Sequence, residues 1–181
     1  MRWLSLAISS FFLTACHLTS IQFDVPEAVE FQGKSYIKVT DNRIDEMRQL
    51  LYLPTESEQN PENWTKGILF FLDQNSQGKT LQQRVTLRRA AFGTQSKIQS
   101  NVKIEQQELR SEVIYPPTER FNDVLLEVSR GRDLPCGYGQ IQISDKRSVL
   151  AKKWQNSTAY QASLIQLAQQ LAAMPWLISC K

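Results

Sequence analysis

Residues 157–175 read Ser157-Thr158-Ala159-Tyr160-Gln161-Ala162-Ser163-Leu164-Ile165-Gln166-Leu167-Ala168-Gln169-Gln170-Leu171-Ala172-Ala173-Met174-Pro175. Tyr160, Leu164, Leu167, Leu171 and Met174 recur at alternating four- and three-residue steps, which draws one apolar stripe along a helix. Gln161, Gln166, Gln169 and Gln170 fall on the other side. Ser157 or Thr158 supplies an N-terminal cap, and Pro175 a stop. A helix over about 158–174 with a single apolar stripe must cover something, and the preceding chain supplies strands.

Ile68-Leu69-Phe70-Phe71-Leu72 is a continuous apolar run of strand length, so 64–72 is expected to be a buried strand. Val124-Leu125-Leu126-Glu127-Val128 marks another within 122–130. Val29 and Phe31, then Tyr36, Ile37 and Val39, flank Gln32-Gly33 in a hairpin that Asp41-Asn42 is expected to stop. Segment 44–53 reads as a turn and then a strand from about Arg48, although Ile44, Met47 and Leu51 also have helical spacing. Segments 97–104, 108–114 and 140–144 are expected as extended stretches with apolar residues at intervals. Residues 131–139 read as a turn-rich connection, with Gly137-Tyr138-Gly139 as a bend. Asp145-Lys146-Arg147 turns the chain, and 148–154 returns as a hairpin partner. Thr80 caps a second helix over about 80–92, with Leu81, Val85 and Phe92 on one face, Leu87 and Ala91 beside it, and Gly93 as its stop. Val85-Thr86-Leu87 also fits an extended segment. Strands, helix, strands, helix makes this an α+β chain: an antiparallel β-sheet packed against two helices (about 80–92 and 158–174), as a single domain over 29–181.

The chain has 181 residues, of which 41% are hydrophobic and 22% charged, which excludes disordered, collagenous and polytopic membrane classes. Net charge is +3, from 21 basic and 18 acidic residues, too balanced to imply a nucleic acid partner.

The N-terminus is a separate matter. Arg2 precedes an uncharged apolar run over 3–15, shorter than the roughly 20 residues a membrane-spanning helix needs. Charged start, apolar middle and small final residue describe a signal peptide over 1–15. Leu13-Thr14-Ala15-Cys16 resembles the bacterial lipobox. That resemblance implies cleavage before Cys16, a diacylglycerol on its thiol, and membrane attachment through the N-terminal lipid, with 16–28 as a lipidated tether. Acyl chains contribute about 0.8 kcal/mol per buried methylene, so two or more hold firmly. In lipoproteins of enteric-type bacteria, Asp after the cysteine favours the inner membrane. His17 stands there instead, which implies the outer membrane, periplasmic face.

Cys136 and Cys180 remain, 44 positions apart. In an oxidising compartment two such thiols pair. The alternative, a reactive or redox pair, lacks CxxC spacing and a neighbouring histidine.

Chemistry is sparse. The single histidine, His17, lies next to the lipid-bearing position, so histidine-based catalysis and Cys/His metal sites are not expected. No phosphate-cradling glycine motif occurs, and no cofactor is implied. Glu112, Glu119, Asp123 and Glu127 are the carboxylates that a glycosidase reading would need in pairs; solvated strand faces and turns are the alternative. Arg84, Arg88 and Arg89 form a basic patch on the first helix, able to meet an anionic group, or simply a solvated face. Trp64, Trp154 and Trp176 read as core or interface aromatics. The expectation is a non-catalytic envelope lipoprotein acting through contact with an envelope protein. Alternatives are an inhibitor or immunity-type ligand binder using loop 55–63, or a carboxylate-dependent cell-wall glycan enzyme.

Overall fold

In the computed structural model, residues 21–95, 97–149 and 156–181 are described. Cys16, His17 and Trp154, with the leader, lie outside them. The strands are β1 (Phe23–Asp24), β2 (Ala28–Phe31), β3 (Lys34–Ile44), β4 (Met47–Pro54), β5 (Lys66–Asp73), β6 (Gln99–Glu105), β7 (Glu108–Tyr115), β8 (Asp123–Leu134), β9 (Gly137–Ser148) and β10 (Ser179–Cys180). The helices are α1 (Leu81–Gly93) and α2 (Gln161–Ala173), the latter preceded by a 3₁₀ turn, Thr158–Tyr160. Eight strands form one antiparallel sheet in the order β2-β3-β4-β5-β9-β8-β7-β6. The chain lays down β2 to β5 as a meander and crosses to the far edge through α1. It then returns through β6 to β9, so that β9 pairs with β5. The α+β class holds, with the sheet dominating.

The two helices cover opposite faces. On the α2 side, Leu164, Leu167 and Leu171 press on Leu50, Tyr52, Ile68, Phe70, Leu126, Val128 and Ile141. Period-two alternation along each strand aims these at one face. On the other side, Val85 of α1 packs with Val102 and Leu109, and a separate cluster of Leu51, Leu53 and Leu69 lies under Trp64. Arg89 of α1 donates to the Val102 carbonyl of edge strand β6 at 2.9 Å, tying the helix to that edge.

Several elements differ from the sequence reading. Asp41-Asn42 does not stop β3, which runs on to Ile44 paired with β4. Segment 131–139 is not turn-rich: β8 and β9 meet in a turn of Pro135 and Cys136 alone. Asp145-Lys146-Arg147 is not a turn but part of β9, and 148–154 forms no hairpin partner among its described residues. Long β8–β9 pairing satisfies these polar residues' backbones, which outweighs their turn propensity. Ser157 makes no side-chain cap bond to the 3₁₀ turn, and Gly93 ends α1 without a left-handed conformation. Leu87 is exposed; Arg84 and Arg88 take the side turned to the sheet, because α1 lies over polar as well as apolar strand positions. The described part of the expected tether is docked: Phe23 pairs with Cys180, and Phe23 and Val25 pack on the core.

The C-terminus is held twice. Cys136 and Cys180 form a disulfide. Arg130, buried on β8, donates to two carbonyls at the end of α2: Leu171 at 3.2 Å, where it joins the Met174 amide, and Met174 at 2.7 Å. The same guanidinium meets Glu108, which is 1% exposed and also takes Arg132 and Arg110. Burial alone would raise the Glu108 pKa, but the hydrogen bonds from Arg130 and Arg132 outweigh it and hold the carboxyl below its ordinary value. Its contribution to stability is therefore present at neutral pH and is lost as pH falls through and below the ordinary carboxylate range.

Two outcomes are expected. Arg130→Ala should cost about 3–5 kcal/mol, since it strips charge from a buried network around Glu108 and removes a donor from the carbonyls at the end of α2; urea unfolding measures this, and a loss under about 1 kcal/mol would show the cap to be replaceable. Replacing both Cys136 and Cys180 by Ser should cost about 4 kcal/mol for a loop of this size, read in the same titration.

Candidate functional site

The groove under α1 begins with how that helix is started. Thr80 accepts from the Gln83 amide at 3.2 Å, and the Gln83 side chain accepts from the Thr80 amide at 2.8 Å, a reciprocal capping box. This sets the rotation of α1, so that Leu81, Arg84, Val85, Arg88 and Phe92 share the side turned to the sheet. Arg84 donates to Asp73 at 2.9 Å and Asn75 at 2.8 Å, with its guanidinium 4.1 Å from the Tyr138 ring centre. Arg88 reaches further in, to Gln140 and, at 3.5 Å, the Ser129 hydroxyl. Among the described residues no carboxylate stands within ion-pair distance of Arg88.

The floor is polar. Along β9, alternate residues form a chain of hydrogen bonds: the Tyr138 hydroxyl donates to Gln140 at 3.1 Å, Gln140 to Gln142 at 3.3 Å, and Gln142 to Ser144 at 3.2 Å. Ser111 and Ser129 join across β7 and β8 at 2.6 Å. Gly131 makes room for Tyr138: a Cβ there would sit 2.0 Å from its hydroxyl. Phe71, Met47 and Phe92 supply apolar walls to a cavity of about 260 Å³. Glu127 closes the lining. Burial pushes its carboxyl up to about 7, against the opposing pull of a 3.4 Å hydrogen bond from Tyr115 and the charge of Arg88.

This arrangement corrects the basic patch. Arg84 and Arg88 are inner groove residues, because strands face that side of α1, while Arg89 stays exposed and is bound to the Val102 carbonyl of β6. The four carboxylates are not brought together either. Glu127 lies in the groove. Glu112 pairs across from Val128 and so points to the opposite sheet face, while Glu119 and Asp123 are exposed. Asp123 and Glu127 stand four residues apart on one strand, with backbones about 13 Å apart at the ordinary rise. Trp64 and Trp176 are covered by cations: Lys146 lies 4.0 Å from the ring of Trp64, and Arg132 4.7 Å from that of Trp176. Loop 55–63 folds back on itself, with Ser57 and Gln59 both donating to the Pro54 carbonyl. Among the described residues no group of three or more His, Cys, Asp or Glu side chains could hold a metal ion. Chemically, the groove offers two guanidiniums, that of Arg84 paired with Asp73, together with fixed amides and hydroxyls and the Glu127 carboxyl: a set for holding a partner.

The glutamines were visible as residues but not as a site. Their signal was the alternation Tyr138, Gln140, Gln142, Ser144 against Gly139, Ile141 and Ile143, polar on one face and small or apolar on the other.

The fold and groove define a sheet-centred α+β domain with a polar recess beneath one helix. A family model matches residues 23–176, and the chain belongs to that family. The chain is also similar to a Haemophilus influenzae protein described as an uncharacterized protein, at 25% identity over 154 residues, covering 81% of this chain and 78% of that one. No solved structure matches.

Because folded Glu127 keeps its proton where the unfolded chain has released it, folding takes up a proton between the ordinary carboxylate pKa and about 7. Stability should fall as pH rises through that window, by up to about 3 kcal/mol, and level off above it. Glu127→Gln should flatten the dependence in urea titrations from about pH 5 to about pH 7.5; a variant with the wild-type slope would assign it elsewhere.

Proposed function

We propose that this protein is a lipid-anchored component of the bacterial envelope, held at the periplasmic face of the outer membrane by acyl chains on Cys16, and that it acts by protein contact rather than catalysis. The observation that carries the location is the Cys136–Cys180 disulfide. It closes a long loop and ties down the C-terminus, a device of oxidising compartments, and it accompanies a leader ending in Leu13-Thr14-Ala15-Cys16. What supports a contact role is the groove, whose groups are pinned by one another. Arg88 is held by Gln140, Gln140 by Tyr138 and Gln142, and Ser129 by Ser111. Preorganised donors and acceptors of this kind reduce the ordering cost of binding. The groove is the surface assigned to the partner, with Arg88 its charged centre.

Cys16→Ser should leave an uncleaved precursor lacking the diacylglyceryl mass and should move the protein out of the outer-membrane fraction. Intact mass spectrometry and sucrose-gradient fractionation read the two effects. A variant that matures and fractionates like the wild type would overturn the anchor.

A further inference from the structure

We propose that the β3–β4 turn seats on the membrane surface, its Ile44 and Met47 side chains entering the lipid headgroup boundary beside the point where the anchor arrives. This rests on the anchor reading given above. Ile44 is 74% exposed, Met47 53% and Ile21 57%. They gather at one end of the sheet. Ile21 and Arg43 line one shallow hollow, Ile44 and Met47 the next, and Glu46 is common to both.

The chain fixes what lies against that end. Gln22 exchanges two backbone hydrogen bonds with Lys181, at 2.8 and 2.9 Å, and Phe23 pairs with the disulfide-bonded Cys180. The point at which the chain joins the domain is therefore rigid. Cys16 stands five residues before Ile21. Even fully extended, five residues span about 17 Å, so a lipid on Cys16 keeps this end of the domain within that distance of the bilayer. No other end of the sheet is so constrained. The opposite end, carrying loop 55–63, is removed by the whole length of β4.

The polar groups of the turn fit an interfacial position. The Glu46 carboxylate accepts from the Ser76 amide at 2.9 Å and the Ser76 hydroxyl at 2.5 Å, and Arg48 is paired with Asp41. Arg43 and Asp45 remain exposed and balance in charge. Contact is thus apolar in origin, two side chains at headgroup depth, and does not depend on anionic lipid. Met47 also lines the α1 groove, so this seating sets one end of the groove near the headgroups.

The test uses the mature, lipidated protein in vesicles of phosphatidylethanolamine and phosphatidylglycerol, with Ile44→Cys carrying a nitrobenzoxadiazole label. Glu58→Cys, in the loop at the far end, carries the same label as a control. Expected are a blue shift and about threefold brighter emission from position 44, quenched by lipids bearing a nitroxide near the headgroup, with no change at 58. The same shift is expected when phosphatidylcholine replaces the anionic lipid; a shift that vanished would overturn the apolar basis. A protein that carries lipid and floats with the vesicles while its position-44 label stays water-like overturns this proposal alone. A protein without lipid that fails to float overturns the anchor, and this proposal with it. A protein without lipid whose position-44 label still shifts overturns the anchor and supports the turn.

Discussion

The pairing of β5 with β9 is the constraint on which the rest depends. It joins a meander built from residues 28–73 to one built from 99–148, and nothing else in the sheet does so. The pairing is also sided. On one face Ile68, Phe70 and Leu72 lie beside Ile141 and Ile143, and α2 closes over them. On the other, Leu69 and Phe71 lie against Gln142 and Gln140. One register therefore creates both the core and the polar recess. Slipping it by a single residue would exchange them and bury a row of glutamines beneath α2.

Two glutamates, Glu108 buried and Glu127 partly so, show how environment, rather than residue type, assigns roles. Glu108 is ringed by Arg110, Arg130 and Arg132 and stays ionised; through Arg130 it fastens the end of α2 to the sheet. Glu127 receives a single long hydrogen bond from Tyr115 and feels Arg88 only at a distance, so burial prevails and its proton is retained towards neutrality. The first is structural cement. The second lines a groove in which Arg84 is paired with Asp73 while Arg88 has no carboxylate partner among the described residues. Such an imbalance is what a binding surface retains and a core removes.

Much of the architecture was readable from local pattern. The stripe from Tyr160 to Met174, the apolar run from Ile68 to Leu72, the Gln32-Gly33 turn and the cap at Thr80 each carried their own signal. The hairpin between β6 and β7 did not. Its turn places Gln106 and Gln107, both at positive φ, where glycine or asparagine would have announced it. Only the middle of β9, 140–144, was legible: glycine at one end and charged residues at the other populate the rest, and its two partners, β5 and β8, make the extended conformation worthwhile there. Arg84 and Arg88 looked like a solvated patch, since helical spacing states which residues share a face but not what that face meets.

What the amino-acid sequence determined alone is what depends on near neighbours in the chain: the two helices and the strongest strands. The strand order, the crossing of the sheet by α1, the arginine cluster around Glu108 and the recess floored by Tyr138, Gln140 and Gln142 were decided only by tertiary structure. Their physical reason is common to all of them. A buried polar group is tolerated where a partner from a distant segment satisfies it, and which segment arrives there is settled by sheet register and packing.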